Sequence, residues 1–428
     1  MLNLQNFCAA VVSLLFAFSV DVDAADEVPI TGRGDRNLVA FDDLLTSFIR
    51  EHNVPGGALA IAYRGKLVYS RGFGYSDRAH KTPVQPGSLF RVGSISKTLT
   101  AVAVLQLAEK KKLRLDDHVL DYIHLRPHLE RGAKADPRWK DVTILELLQH
   151  TGGWDKEASS LDPMFYSGPI ARAVGSAPPA TPRDIIRYML GKPLDFNPGE
   201  RFAYSNFGYC LLGRVIETAS GEPYERYVRE QVLKPIGVTG IVEGHTLLSR
   251  RLPGEVLYYD QKGRTTESFF GPRGRVAMPY GAWCLEAMDS NGGWVASAPD
   301  LVRFAVSFDD REHCPVLSAR SIDKMFARPS GAAGQDRRGR PAVKYYGCGW
   351  NVRIVGPGDQ VNTWHPGSLD GAEAMLVRRA DGVEFAVLFN TREDPSGKSL
   401  IELIERPLHE TANAVKRWPD IDLFAATR

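Results

Sequence analysis

The sequence predicts an α+β protein in which a sheet domain built from both ends of the chain carries a mainly helical insertion. Three observations carry this expectation. β-type runs occur early, at residues 58–63 and 66–69, and return only late, at 349–355, 373–378 and 383–390. Between about 113 and 290 the pattern is one of helical patches broken by Pro and Gly. The 428 residues, 43% hydrophobic and 24% charged, supply a sizeable core and exclude disorder, collagen and coiled coil. The expected division is a leader at 1–24, a sheet domain from 25–112 with 290–428, and an insertion at 113–289.

The leader comes first. Residues 7–20 are an uncharged apolar run of 14, too short to span a bilayer comfortably, and Val22-Asp23-Ala24 follows as a site that a signal peptidase could cut before Ala25. No Lys or Arg precedes the run. Export to the periplasm or the medium is expected, with no stable membrane span after cleavage. Residues 38–49 repeat apolar side chains at helical spacing, and Arg64-Gly65 between two β-type runs reads as a tight hairpin. The strongest helix pattern runs from Ser94 to Lys110, with Ile95, Leu99, Val102, Leu105 and Ala108 as its apolar stripe. Shorter helical patches lie at 144–148, 183–190 and 207–219, with loops around Pro178-Pro179, Gly263 and Gly271-Pro272. A last helix is expected from about 398 to 418.

Composition also narrows the function. Lys+Arg number 53 against 51 Asp+Glu, a net charge of +2, with no basic run long enough to track phosphates, so nucleic-acid binding is disfavoured. Cys8 falls in the leader, and Cys210, Cys284, Cys314 and Cys348 allow three disulfide pairings among which the sequence does not choose. Four cysteines are too few to staple a chain of this length, so the core must hold it. No CxxC pair, HExxH motif or His/Cys cluster supports a zinc site. Neither a metal nor an organic cofactor is expected, and the partner is a small-molecule or peptide substrate; the oligomeric state stays open.

The sharpest chemical feature is Gly93-Ser94-Ile95-Ser96-Lys97. Positions three apart on a helix share a face, so Lys97 can reach the Ser94 hydroxyl. A serine hydroxyl is a weak nucleophile until a base stands beside it, and burial or neighbouring positive charge lowers a lysine pKa into that role. The helix N-terminus also offers N–H groups to an oxyanion. A second copy, Ser321-Ile322-Asp323-Lys324, reads as an ordinary helix start with Ser321 near the cap.

Two further motifs join the first. Tyr204-Ser205-Asn206 lies in a turn leading into a helix, and a phenol beside a lysine ammonium has its anionic form favoured and can pass protons. His365-Pro366-Gly367-Ser368 lies between late β-type runs. Pro366 donates no ladder bond, so this strand is expected at a sheet edge where substrate lies alongside; Gly367 admits close backbone, and the Ser368 N–H is a second oxyanion donor. His150-Thr151-Gly152 repeats the spacing but reads as a helix-ending turn. Arg33-Gly34-Asp35 is a chance tripeptide, no Gly-x-Ser-x-Gly elbow exists, and the aromatic stretch 258–280 is read mainly as packing.

Ser-x-x-Lys, Tyr-x-Asn and His-x-Gly in this order resemble the serine β-lactamase and penicillin-binding protein superfamily, in the branch of class C β-lactamases, D-Ala-D-Ala carboxypeptidases, D-aminopeptidases and family VIII carboxylesterases. The resemblance runs from about Leu38 to the last helix. It implies a β-lactamase/transpeptidase-like fold, an antiparallel sheet flanked by helices, with the active site between sheet and insertion. It further implies Ser94 as acylated nucleophile, Lys97 and Tyr204 as proton-transfer partners, Asn206 as support for Lys97 and substrate, His365 on the edge strand, and an oxyanion hole from the Ser94 and Ser368 N–H groups. Class C β-lactamases carry lysine where this chain has His365, and histidine is mostly neutral at pH 7. The expected function is therefore an exported serine hydrolase of esterase or D-amino-acid peptidase type, with a β-lactamase or a non-turnover penicillin or peptidoglycan sensor as the alternative.

Overall fold

The computed structural model describes residues 27–270, 274–357 and 360–425; the expected leader and the Gly271-Pro272 turn lie outside them. A nine-stranded sheet with every pair antiparallel forms the spine. Its order is Ile30–Thr31, Lys66–Asp77, Gly56–Tyr63, Val383–Phe389, Ala372–Arg378, Val361–Leu369, Asn351–Ile354 and Lys344–Tyr346, with Thr82–Pro83 alongside Lys66–Asp77. The strand from the chain's beginning therefore pairs directly with the one near its end, Leu59 facing Val387.

The early hairpin follows from its turn. Arg64 and Gly65 both adopt positive φ, 51° and 78°, the backbone that a two-residue turn needs to match strand twist. The second strand continues well past Tyr69, to Asp77.

Alternation along the central strands builds two cores, because successive side chains point to opposite faces. Ala58, Ala60, Ala62, Ala374 and Ala386 face inward, where their small size admits the helix Ala298–Val306 close against the sheet. Leu59, Ile61, Met375, Val377, Phe385 and Val387 face outward and are covered by the first and last helices, Val39–Glu51 and Leu400–Ala414. Pro407 lies inside the last helix.

The stretch between the two sheet halves holds helices Ile144–Leu148, Ser167–Val174, Pro182–Leu190 and Asn206–Ser220. Past Ile241 it changes character: Val242–Glu243 and the hairpin Thr265–Glu267 with Arg275–Ala277 replace helix. The helix Ser96–Glu109 is buried on all sides and packs on Asn206–Ser220, so one apolar cluster runs from the sheet into the helical region. Each fully buried Leu or Val there contributes on the order of 2 kcal/mol. Cys210, Cys284, Cys314 and Cys348 are all free thiols, so none of the three pairings is formed.

Glu373 joins sheet to outer layer. Its carboxylate accepts from the Ser399 hydroxyl at 2.8 Å and the Ile401 N–H at 3.1 Å, capping the last helix, while burial raises its pKa to about 7. A carboxyl group whose folded pKa lies above its unfolded value stabilises most below the unfolded value and loses that share as pH rises through the folded one. Glu373→Gln is therefore expected to flatten the loss of thermal stability between about pH 4.5 and 7 by up to about 3 kcal/mol, read as unfolding midpoints across that range.

Candidate active site

From Phe90 to Leu107 every residue is buried except Ser94, which is half-open. Ser94 sits in a short 3-10 turn, Gly93–Ile95, that leads into the helix Ser96–Glu109. The turn is pinned from below. Arg91, 2% exposed, donates to the carbonyls of Pro279, His245 and Thr246, lies 3.8 Å from Glu255, and has Tyr258, Trp283 and Tyr280 around its guanidinium at 4.4, 5.3 and 5.5 Å. Tyr258 and Tyr280 are thus packing, as read from the sequence, and they pack around a cation.

Lys97 lies one turn on, fully buried. As an ammonium its Nζ donates to Ser94 Oγ at 3.0 Å, Asn206 Oδ1 at 2.8 Å and the Asn291 carbonyl at 2.7 Å. The helix is enclosed around it, so the amine is inside the protein. Burial is the largest influence and lowers its pKa to about 7; Asp162 opposes the fall and Lys156 adds to it. An amine at that pKa is available as a base near neutrality.

Ser205 explains the placement of its neighbours. It caps the helix Asn206–Ser220 by accepting the Gly208 N–H, which leaves Tyr204 just outside the helix and Asn206 as its first residue. The Lys97 Nζ is 4.9 Å from the Tyr204 ring centre, and the Tyr204 phenol reaches the Ser94 hydroxyl. Here the sequence expectation is corrected. Burial is the largest influence and raises the Tyr204 pKa well above that of a free phenol, so the phenol is held in its neutral form beside the lysine.

His365, Gly367 and Ser368 lie on Val361–Leu369. This strand is not the sheet edge, because Asn351–Ile354 pairs with its first half, Val361 to Trp364. From His365 to Leu369 it pairs with Ala372–Arg378 alone, so the expected free edge exists only along that second half. His365 itself is buried: its Nδ1 donates to the Pro366 carbonyl at 2.6 Å, which fixes the tautomer so that Nε2 accepts from the Tyr346 hydroxyl at 2.9 Å. Burial first, then Lys97, lower its pKa to about 3, so it brings no positive charge to the cleft.

The glycines bring two backbone segments together. A Cβ on Gly367 would lie 1.8 Å from the Val92 oxygen and 3.3 Å from the Ser94 nitrogen; one on Gly93, which has φ +49°, would lie 2.8 Å from the Ser368 nitrogen. The amides of Ser94 and Ser368 are thereby held side by side at the open hydroxyl, the arrangement an oxyanion requires.

All seven residues singled out in the sequence lie at or beside this cluster. Several of its members were not foreseen. Asn291 acts through its carbonyl, so its side-chain type carries no signal. Asp162 accepts the Asn206 amide at 2.7 Å, and its only local sign was a Pro-following cap of the turn Pro163–Phe165. His150, set aside as a helix-ending turn, does end the helix Ile144–Leu148 at φ 58°, yet its ring lies 4.3 Å from Tyr204 and 4.5 Å from Tyr346. Its Nδ1 accepts the Ser205 N–H and burial keeps it neutral. The second Ser-x-x-Lys lies in the helix Ala319–Phe326, capped by Ser318 rather than Ser321. Among the described residues no group of His, Cys, Asp or Glu could hold a metal ion, and no helix is long and apolar enough to cross a membrane.

Two outcomes follow. Gly367→Ala is expected to lose on the order of 3 kcal/mol or more by thermal unfolding, whereas Gly87→Ala, with open space around its Cβ, changes little. In NMR of lysine-labelled protein, one ε-resonance should titrate near pH 7 and vanish in Lys97→Ala; titration of every lysine near 10.5 would contradict the burial argument.

Comparisons with known proteins identify the family and the fold. The Beta-lactamase family profile matches residues 41–406. The Bacillus subtilis (strain 168) protein PbpX, which bears the name of a penicillin-binding protein, is 28% identical over 346 residues, 81% of this chain and 73% of that protein. The Staphylococcus aureus (strain N315) protein flp is 23% identical, and the match spans 78% of this chain but 59% of flp. Among solved structures, an octameric penicillin-binding protein homologue from Pyrococcus abyssi superposes with a TM-score of 0.63 at 25% identity, covering 86% of this chain and 76% of that one. D-amino acid amidase from Ochrobactrum anthropi SV3 and the hydrolase EstCE1 share the fold with TM-scores of 0.65 each, at 19% and 22% identity, covering 89% of this chain and 99% of theirs. The chain belongs to the β-lactamase family, with the fold of the serine β-lactamase/transpeptidase superfamily.

Proposed function

We propose that the chain is a serine hydrolase that acts through an acyl-enzyme on Ser94, cleaving an ester or an amide of small-acid or D-amino-acid type. The observation that carries the reading is the bonding of Lys97. Asn206 and Asn291 present carbonyl oxygens that take two of its N–H groups, so the neutral amine directs its remaining valence, a lone pair, at the Ser94 hydroxyl.

Ser94 Oγ attacks the substrate carbonyl carbon while its proton passes to Lys97 Nζ, and the new oxyanion is met by the Ser94 and Ser368 amides. The departing alkoxide or amine takes the Tyr204 proton, which Lys97 replaces. Water then attacks the acyl carbon, gives its proton to the same pair, and the C–O bond to Ser94 breaks to release the acid and restore the hydroxyl.

Substrate class is argued from charge. A buried neutral His365 provides no cation for a carboxylate beside the scissile bond, which favours esters and amides over β-lactams and C-terminal carboxylates. Export is proposed from the apolar leader, and an N-terminus at Ala25 in protein recovered outside the cytoplasm would support it.

Ser94→Ala is expected to abolish turnover and fluorophosphonate labelling while Ser321→Ala preserves both; the reverse result would transfer the site. Specificity constants for a p-nitrophenyl ester, a D-amino-acid amide, a D-Ala-D-Ala peptide and a cephalosporin should fall in the order that puts the first two ahead. A single stoichiometric burst with no steady rate would instead mark a covalent sensor.

A further inference from the structure

We infer that Asp162 is a positioning residue that keeps the Lys97 lone pair aimed at Ser94 by fixing which end of the Asn206 amide faces the amine. This rests on the reading of Ser94 as nucleophile and Lys97 as base, and adds a residue that touches neither Ser94 nor substrate in that scheme.

Asn206 has two unlike ends, an acceptor and a donor, and rotation of its amide exchanges them. Its Nδ2 lies 2.7 Å from Asp162 Oδ2 and its Oδ1 lies 2.8 Å from Lys97 Nζ. A carboxylate only accepts, so the NH2 end is held at Asp162 and the carbonyl end is held at the lysine. In that orientation Asn206 and Asn291 both accept from the amine, and its lone pair faces the Ser94 hydroxyl. With the amide reversed, an N–H would point at Lys97, whose lone pair would turn to accept it. The amine would then offer a hydrogen to Ser94 and could not remove its proton.

Asp162 is itself fixed, since its Oδ1 accepts the Met164 N–H at 3.2 Å at the start of the turn Pro163–Phe165. It is also the acidic group that bears on the amine. The other titratable side chains around Lys97 are Lys156, which opposes a charged amine, His150 and His365, both neutral through burial, and the phenols Tyr204 and Tyr209, both held protonated.

Asp162→Asn tests the idea with little change of shape, because asparagine caps a helical turn as well as aspartate does. Its new NH2 can donate to Asn206 Oδ1 and so admits the reversed amide. We expect kcat for an ester substrate to fall about 10²-fold or more, the scale of a lost general base, with KM nearly unchanged and the rising limb of the pH profile moved to lower pH because a negative charge is gone. Asp162→Ser removes the same charge but, with a hydroxyl free to accept, does not force the reversal; its limb should move the same way with a smaller loss of kcat. The double variant Asp162→Asn/Asn206→Asp restores an acceptor toward Lys97 with a donor behind it. It should regain about tenfold over Asp162→Asn, with its limb above that of the native protein.

A native kcat and pH limb in Asp162→Asn would overturn the proposal, as would a loss in Asp162→Ser exceeding that in Asp162→Asn, or a double variant no better than Asp162→Asn. Turnover that survives Ser94→Ala or Lys97→Ala would instead overturn the underlying catalytic reading, so the two failures are distinguishable.

Discussion

The structure is organised around one unfavourable act, the removal of a lysine amine from water. An isolated ammonium in an apolar interior is strongly disfavoured, and the group answers by shedding its proton near neutrality and by bonding every valence it has. Lys97 does both, with Ser94, Asn206 and the Asn291 carbonyl around it and its pKa drawn down to about 7. Those bonds tie three distant segments of chain to one point, so the chemistry and the local fold share a single network. Its loss would disturb geometry and reactivity together.

The same burial sorts the neighbouring groups. Tyr204 keeps its proton and His365 and His150 stay neutral, so the phenol and the two imidazoles of the cluster carry no charge and Lys97 alone changes charge near neutrality. The other charges that bear on the amine lie at the margin, in Asp162 and Lys156. In the proposed reaction a transient oxyanion would be met by fixed backbone dipoles rather than by a permanent cation, which gives the glycine contacts between residues 92–94 and 367–368 as much weight as any side chain.

Much of this was legible in the sequence because it depends on local spacing. Ser94 and Lys97 share a helical face, Arg64-Gly65 turns a hairpin, and Ser205 caps a helix with Tyr204 and Asn206 on either side of it. What escaped reading acts at a distance or through atoms that every residue has. The Asn291 carbonyl is a backbone group; Tyr346 meets His365 from two strands away in the same sheet; and His150 matched a motif by chance yet lies against Tyr204. Pro366 correctly indicated a missing ladder bond, but only half of its strand lacks a neighbour, since pairing with Asn351–Ile354 ends at Trp364.

The sequence by itself determined which residue types were present at helical and turn spacing, and hence the pairing of the Ser94 hydroxyl with the nearby amine and the alternation that makes an α+β core. Those are short-range properties of a chain with fixed backbone periods. Protonation states were decided by the tertiary structure alone. They depend on how many layers of protein separate a group from water and on which partners arrive from elsewhere in the chain, and neither burial nor a contact between residues 97 and 291 is a property of any local stretch.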